Sequence, residues 1–360
     1  MLINQRRVRE MVALYRRRGV RGLATVLRSV RDYYREPVVM DSEPLFLQVE
    51  PTILCNLECT FCINPYLPRT RTSLSLTQFR RVVDEVPSAS KISLVGIGES
   101  FMNKELWSIV RLAKDRGIEI GTTTNGTFLT DRLLTEIIEV GLDWLNFSID
   151  GATKATYERL RPGAHFEEVL TNIRRVVSRL DGRPLPELAV WFLSNRENIH
   201  ELPEMVELVR SLGVLSLNTQ GVHYWGHPDW HERAAEANEV SDLVGVLRET
   251  KCRADLAGIR FNWYNFPDST ASRGCKWPWK GAYITADGFV TPCCENGSDP
   301  ERINFGNIFE QPFSDIWNSV SYQQFRRELQ SPDGRPSICV DCPSYHKAIT
   351  FASGRESQST

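Results

Sequence analysis

Three cysteines in Cys55-Asn-Leu-Glu-Cys59-Thr-Phe-Cys62 are spaced to present thiolates to one object. A cluster of four irons and four sulfides takes one thiolate per iron. Three cysteines bind three irons and leave the fourth open, so an outside molecule can coordinate directly to a one-electron donor. A zinc site would want a fourth Cys or His close by, and the first histidine of the chain is His165. Three structural thiols are the remaining alternative. Four more cysteines, Cys275, Cys293, Cys339 and Cys342, gather toward the C-terminus, leaving Cys252 and Cys294 over. In a reducing compartment, such groups bind metal more often than they form disulfides.

The surrounding chain must position these groups. With 360 residues, 41% of them hydrophobic, it can bury one barrel-sized core plus a smaller module. A net charge of −2 gives no reason to expect a nucleic-acid partner. No apolar run approaches the ~18 residues that cross a bilayer, and no signal-peptide pattern opens the chain, so a cytoplasmic protein is expected. Strand-like segments at Leu45–Glu50, Lys91–Gly96, Glu119–Thr124, Trp144–Asp150, Leu188–Leu193 and Leu215–Thr219 alternate with helix-like ones. The helices fall at Leu76–Val86, Lys104–Arg116, Asp131–Val140, Phe166–Leu180 and Ile199–Leu212. Such alternation predicts parallel strands with right-handed crossovers, hence an α/β fold built on a TIM-like barrel, partial or full, of six β–α units. Its active site belongs at the C-terminal strand ends. The first 36 residues hold ten arginines, no lysine and three acids, with apolar residues at helical spacing. They predict two short helices parted by Gly19 and Gly22. The arm either packs on the barrel or lies on an anionic membrane surface as a peripheral contact.

The Cys-x-x-x-Cys-x-x-Cys spacing, with Phe61 before the last cysteine, resembles the radical S-adenosylmethionine superfamily. The resemblance implies that the amino and carboxylate groups of S-adenosylmethionine chelate the open iron. Reductive cleavage then releases a 5′-deoxyadenosyl radical, with a flavodoxin- or ferredoxin-type protein as external electron donor. Gly96-Ile97-Gly98-Glu99 is similar to the family's glycine-glutamate-proline loop for the methionine amino group, with Ser100 in place of the proline. The resemblance extends cofactor contacts to Asn125, Ser148 and Asn195. It also reaches Arg161, for which pairing with the methionine carboxylate stands beside a salt-bridge or cap role.

Cys275, twelve residues, Gly288, four residues, Cys293, and later Cys339-Val-Asp-Cys342, resemble the SPASM/twitch extension that holds auxiliary clusters. No cysteine follows Cys342, so four thiolates imply one auxiliary 4Fe–4S cluster on Cys275, Cys293, Cys339 and Cys342. A four-cysteine zinc site is the alternative. The expected organisation is an arm at 1–40, a radical S-adenosylmethionine barrel at 41–265, a separate auxiliary module at 266–348 and a frayed tail at 349–360. The module begins with a hairpin around Asp287-Gly288 and continues with a helix over Phe313–Leu329. A closed cluster suits electron transfer, which points to oxidation of a small polar metabolite such as a sugar or aminocyclitol. Peptide maturation, radical epimerisation with Cys294 or Cys252 returning a hydrogen atom, and a lipid-linked substrate are alternatives. So is a scaffold without turnover. His223 and His227 are candidate bases, each equally suited to anchoring a loop. Trp277 and Trp279 read as shielding for the auxiliary cluster or as core.

Overall fold

The structure, a computed structural model, describes residues 5–223, 225, 228–264, 275–295, 297–331, 335–339 and 342. Nine strands form one sheet: β1 (Phe46–Val49), β2 (Lys91–Leu94), β3 (Glu119–Thr124), β4 (Trp144–Ser148), β5 (Glu187–Ser194), β6 (Ser216–Gly221), β7 (Arg260–Tyr264), β8 (Gly281–Ile284) and β9 (Val290–Thr291). Their order is β7-β6-β5-β4-β3-β2-β1-β8-β9, an unclosed partial barrel. Every pairing is parallel except β8 with β9.

The two-residue period of the strands sorts side chains between two faces. Leu47, Val49, Leu145, Phe147, Val190 and Phe192 point out and are buried against the helix layer. Gln48, Asn146, Ser148, Trp191, Asn218 and Asn262 point into the lumen. The helix Phe166–Leu180 shows why the outer layer forms. Phe166, Val169, Leu170, Ile173, Val176 and Leu180 recur on its buried face, and it stops at Asp181, which adopts the left-handed conformation (φ 45°). Ser75 caps the helix Leu76–Glu85 in a reciprocal box with Gln78.

Six expected strands and five expected helices are present with ends shifted by a residue or two, except that the α-helix expected from Ile199 begins at Leu202, after a 3-10 turn over Ile199–Glu201. Three features differ. A seventh parallel strand, β7, pairs with β6. The segment expected to start a separate module instead extends the barrel sheet, because β8 pairs in parallel with β1, Phe46 opposite Gly281 and Val49 opposite Ile284. The hairpin turn does fall at Asp287-Gly288, where Gly288 takes φ 93°. The helix expected over Phe313–Leu329 is two, Phe313–Trp317 and Val320–Gln330, because Ser319 caps the second.

The N-terminal arm, Gln5–Arg35, is two helices parted at Gly19, whose backbone leaves the helical region (φ 59°, ψ −143°), as the spacing predicts; Gly22 lies inside the second. Its C-terminal half is tied to the body. Asp32 is buried beneath Arg31 and Ser42, Val26 packs on Leu45, and Lys276 pairs with Glu36 and lies over Tyr33. No helix among the described residues is long and apolar enough to cross a membrane. The expected tail lies outside the described residues, as does His227.

Candidate active site and auxiliary thiol site

The loop after β1 folds back over the strand ends. Thr60 N donates to Leu160 O, Cys62 N to Cys59 O, and Asn64 N to the Cys62 thiol. Asn64 Nδ2 donates to both Ile53 O and Ile97 O, tying this loop to the glycine loop after β2. Cys55, Cys59 and Cys62 all line one lumen of about 1230 Å3 and stay partly accessible. Burial pushes the Cys59 thiol up to about 11 and the Cys62 thiol up to about 12.

The two glycines of Gly96-Ile97-Gly98-Glu99 have specific causes. A Cβ on Gly96 would lie 2.3 Å from Cγ of Glu50, and one on Gly98 would lie 2.2 Å from the carbonyl oxygen of Thr52. Both serve loop-on-loop packing, so the close approach is to the protein's own backbone and side chains. Glu99 accepts from Thr124 Oγ1 and Asn125 N at 2.7 Å and from Phe101 N at 3.1 Å. A carboxylate offers about four acceptor positions, so these donors fix its orientation and leave capacity for one more. Burial pushes its pKa upward against those bonds. Ser100, where a proline was expected, is buried and donates to Leu94 O, so a hydrogen bond restrains this position.

Arg161 reaches the same lumen, with its fork engaged. Nε and Nη2 both meet Asp150 Oδ2, Nη1 lies 3.8 Å from the Cys59 thiol, and the guanidinium lies over Phe61. The salt-bridge role and the position beside the cysteine loop therefore hold together. Asn125 spans to Asn56 through a 2.9 Å bond. Gly96, Gly98, Glu99, Asn125, Ser148 and Arg161 share the lumen with the three cysteines. Asn195 does not line it; its Oδ1 accepts from Glu197 N in a tight turn.

The later cysteines form a second enclosure. Cys275, Cys293, Cys339 and Cys342 face one another behind Trp277, Pro278, Pro292 and Phe325. Cys293, Cys339 and Cys342 are each less than one-tenth exposed. Burial pushes Cys275 up to about 11, Cys339 up to about 12, and Cys293 and Cys342 well above the usual thiol range. Cys294 points the other way, into the lumen, and burial raises its thiol to about 12. Cys252 is exposed on the helix Leu243–Ala257, away from both sites.

A family model described as the Radical SAM superfamily matches residues 49–209, and one described as an iron–sulfur cluster-binding domain, SPASM, matches residues 275–343. The chain carries a radical S-adenosylmethionine superfamily domain and a SPASM domain. It is 27% identical over 324 residues to a tungsten-containing aldehyde ferredoxin oxidoreductase cofactor-modifying protein of Pyrococcus furiosus, covering 82% of this chain and 86% of that one. It is 26% identical over 325 residues to an AdoMet-dependent heme synthase of Methanosarcina barkeri, covering 84% and 90%. The fold is shared with Streptococcus suis SuiB bound to its precursor peptide SuiA, at a TM-score of 0.67 and 14% identity over 90% of this chain and 74% of SuiB.

A radical S-adenosylmethionine domain carries a 4Fe–4S cluster and binds S-adenosylmethionine, and a SPASM domain carries auxiliary iron–sulfur chemistry. The donor sets fit: three thiols open onto a lumen, and four thiols close on each other behind apolar walls. Among the described residues no three Cys, His, Asp or Glu side chains meet closely enough to hold a single ion. A cluster places each thiolate on a different iron and needs no such meeting.

Several residues of this radical S-adenosylmethionine site escaped the sequence reading. Glu295 lines both enclosures, 3.4 Å from the Cys342 thiol and 4.0 Å from Nδ1 of His223. Its position directly after Cys293-Cys294 was the available signal. The amide and hydroxyl lining of the lumen was written in the alternation Asn146, Ser148 in β4 and Ser216, Asn218, Gln220 in β6. Glu50, Arg69 and Asp150 gave no signal, since local sequence does not reveal which charges a fold buries.

Proposed function

We propose that this radical S-adenosylmethionine enzyme oxidises a polar, hydroxyl-bearing substrate held in the barrel lumen, with Cys55, Cys59 and Cys62 holding the catalytic cluster and Cys275, Cys293, Cys339 and Cys342 the auxiliary one. When bound, the first cluster together with S-adenosylmethionine would supply a carbon radical that removes a hydrogen atom, and the second would supply an acceptor for the electron left behind. The observation that carries the reading is the wall between the two enclosures. Cys293 faces the auxiliary thiols, its neighbour Cys294 faces the lumen, and Glu295 lines both. One turn of chain separates the place where a substrate sits from the place where an electron is stored.

The chain's own residues account for the rest. Glu99, with one acceptor position to spare, receives the methionine ammonium. Asn125, Ser148 and Arg161 stand beside it for the remaining polar groups of S-adenosylmethionine. Gln48, Ser93, Asn146, Asn218 and Asn262 offer neutral donors and acceptors to substrate hydroxyls. His223 is the candidate to take the proton: its Nε2 lies 2.9 Å from Gln220 Nε2, and burial lowers its pKa from the usual imidazole value against the opposing pull of Glu295, which favours the neutral ring. Oxidation of an alcohol to a carbonyl then balances. One hydrogen atom goes to the radical, one proton to His223 and one electron to the auxiliary site.

A peptide substrate is the second reading. The lumen reaches the N-terminal strand ends at Lys91, Glu119, Glu187 and Arg260, and its volume exceeds the ~300–1,000 Å3 typical of small-molecule sites. SuiB, of similar fold, is known bound to a precursor peptide.

The test is anaerobic turnover with S-adenosylmethionine and dithionite against a panel of sugars, aminocyclitols and peptides. The oxidation reading expects 5′-deoxyadenosine above the substrate-free background together with a product lacking two hydrogens. Product isobaric with substrate in H2O but one deuterium heavier in D2O, and absent in Cys294→Ala, would establish epimerisation instead.

A further inference from the structure

Glu50 follows β1 and is fully buried. Its carboxylate collects donors from three separate segments. Arg69, in the stretch after the cysteine loop, gives Nη2 at 2.6 Å and Nη1 at 3.3 Å. Ile97, inside the glycine loop, gives its backbone N–H at 3.3 Å. The auxiliary hairpin gives Tyr283 Oη at 3.1 Å and Ala286 N at 3.0 Å. Arg69 is itself held from the auxiliary side, by Asp287 Oδ1 and Ser298 O, each at 3.0 Å. The Glu50 side chain also lies where a Cβ on Gly96 would have to be, so this loop is shaped around it.

A buried carboxylate must have its lone pairs met, and a charge-assisted bond is stiff and directional. Moving any one donor segment therefore disturbs the others. We infer that Glu50 is a positioning residue that lets the auxiliary segment set the geometry of the Gly96–Glu99 loop, and through it the affinity for S-adenosylmethionine. The residue touches neither thiol set. It acts by holding Ile97, two residues before Glu99, in register with a hairpin that belongs to the other site. The inference rests on the assignment of Glu99 to the methionine ammonium and is independent of the substrate.

The test measures S-adenosylmethionine binding by equilibrium dialysis on the holoenzyme, without substrate or reductant, beside iron content and Tm. Glu50→Gln should weaken binding by about tenfold, equivalent to one lost charge-assisted bond. Because that variant strands the Arg69 charge, Tyr283→Phe serves as the mild counterpart. It removes one hydroxyl on the auxiliary side and should weaken binding by about threefold with full iron content and unchanged Tm. The double variant should bind no more weakly than Glu50→Gln alone, since both act through one carboxylate. Wild-type binding in Tyr283→Phe, or additive losses in the double variant, would overturn the inference. Glu99→Ala separates the two layers. Lost binding there with unaltered Glu50→Gln and Tyr283→Phe defeats the coupling alone, whereas unaltered binding in Glu99→Ala defeats the loop assignment and the coupling with it.

Discussion

Cys55, Cys59 and Cys62 remain partly accessible on the wall of a large lumen of mixed polar and apolar lining, whereas Cys293, Cys339 and Cys342 are buried behind tryptophan, proline and phenylalanine. The open set has three thiols and a charged pair beside it, Arg161 with Asp150; the closed set has four thiols and walls that are apolar apart from Glu295. The same side-chain chemistry thus serves two ends. Incomplete ligation beside polar space permits a ligand to bind and react. Complete ligation in a mostly apolar enclosure would exclude ligands and leave only electron exchange. What separates the two is the fourth thiolate and the polarity of the wall, both set by which connecting segments carry the cysteines.

The comparison breaks first at the open site. Cys59→Ala should abolish 5′-deoxyadenosine formation and lower iron from about eight to about four per chain, read by product chromatography and iron assay. Cys339→Ala should lose a similar share of iron yet still cleave S-adenosylmethionine, while the oxidised product disappears. Full product formation in that variant would remove the electron-storage role.

Arg161→Leu sharpens the contrast, since it strands Asp150 beside the open site only. Breaking a buried pair costs about 3–5 kcal/mol, so its Tm should fall far below that of the wild type. A milder asymmetry follows from Glu201, which accepts from Thr156 Oγ1, Ala152 N and Thr153 in the turn just after Asp150. Burial raises its pKa, but those bonds outweigh burial and hold it below the usual value. Its folded pKa is depressed, so its stabilisation is present above the unfolded value of about 4.3 and is lost as pH falls through the folded one. Amide exchange should therefore show the segment after β4 loosening on acidification more in wild type than in Glu201→Gln, with β8 and β9 indifferent to that substitution. Smallest of all, Cys252→Ser should leave iron content unchanged and stability within about 0.5 kcal/mol, because that thiol is exposed and belongs to neither set.

Most of the parallel sheet was legible in the sequence because its signals are local: β3 and the helix Phe166–Leu180 begin and end where periodicity places them. The cysteine spacing and the glycine-glutamate loop were legible for the same reason. The split of Cys293 from Cys294 suited the glycine spacing, and the lining of the two enclosures follows it. Long-range pairing was not legible. Nothing in Gly281-Ala-Tyr-Ile says that β8 lies beside β1, and nothing in Val-Glu50-Pro says that the carboxylate meets an arginine and a hairpin from far along the chain. The engagement of Arg161 by Asp150 was hidden likewise, since two residues become partners only once strand and helix are packed.

The parallel seam between β1 and β8 has a consequence for how such a chain can be cut or recombined. A fragment ending before Gly281 would leave β1, buried in the intact sheet, as a bare edge with unpaired amides and carbonyls. Such an edge invites pairing between molecules. The segment from Gly281 onward is therefore not a detachable accessory: swapping or trimming it would trade a covered strand for a self-associating edge.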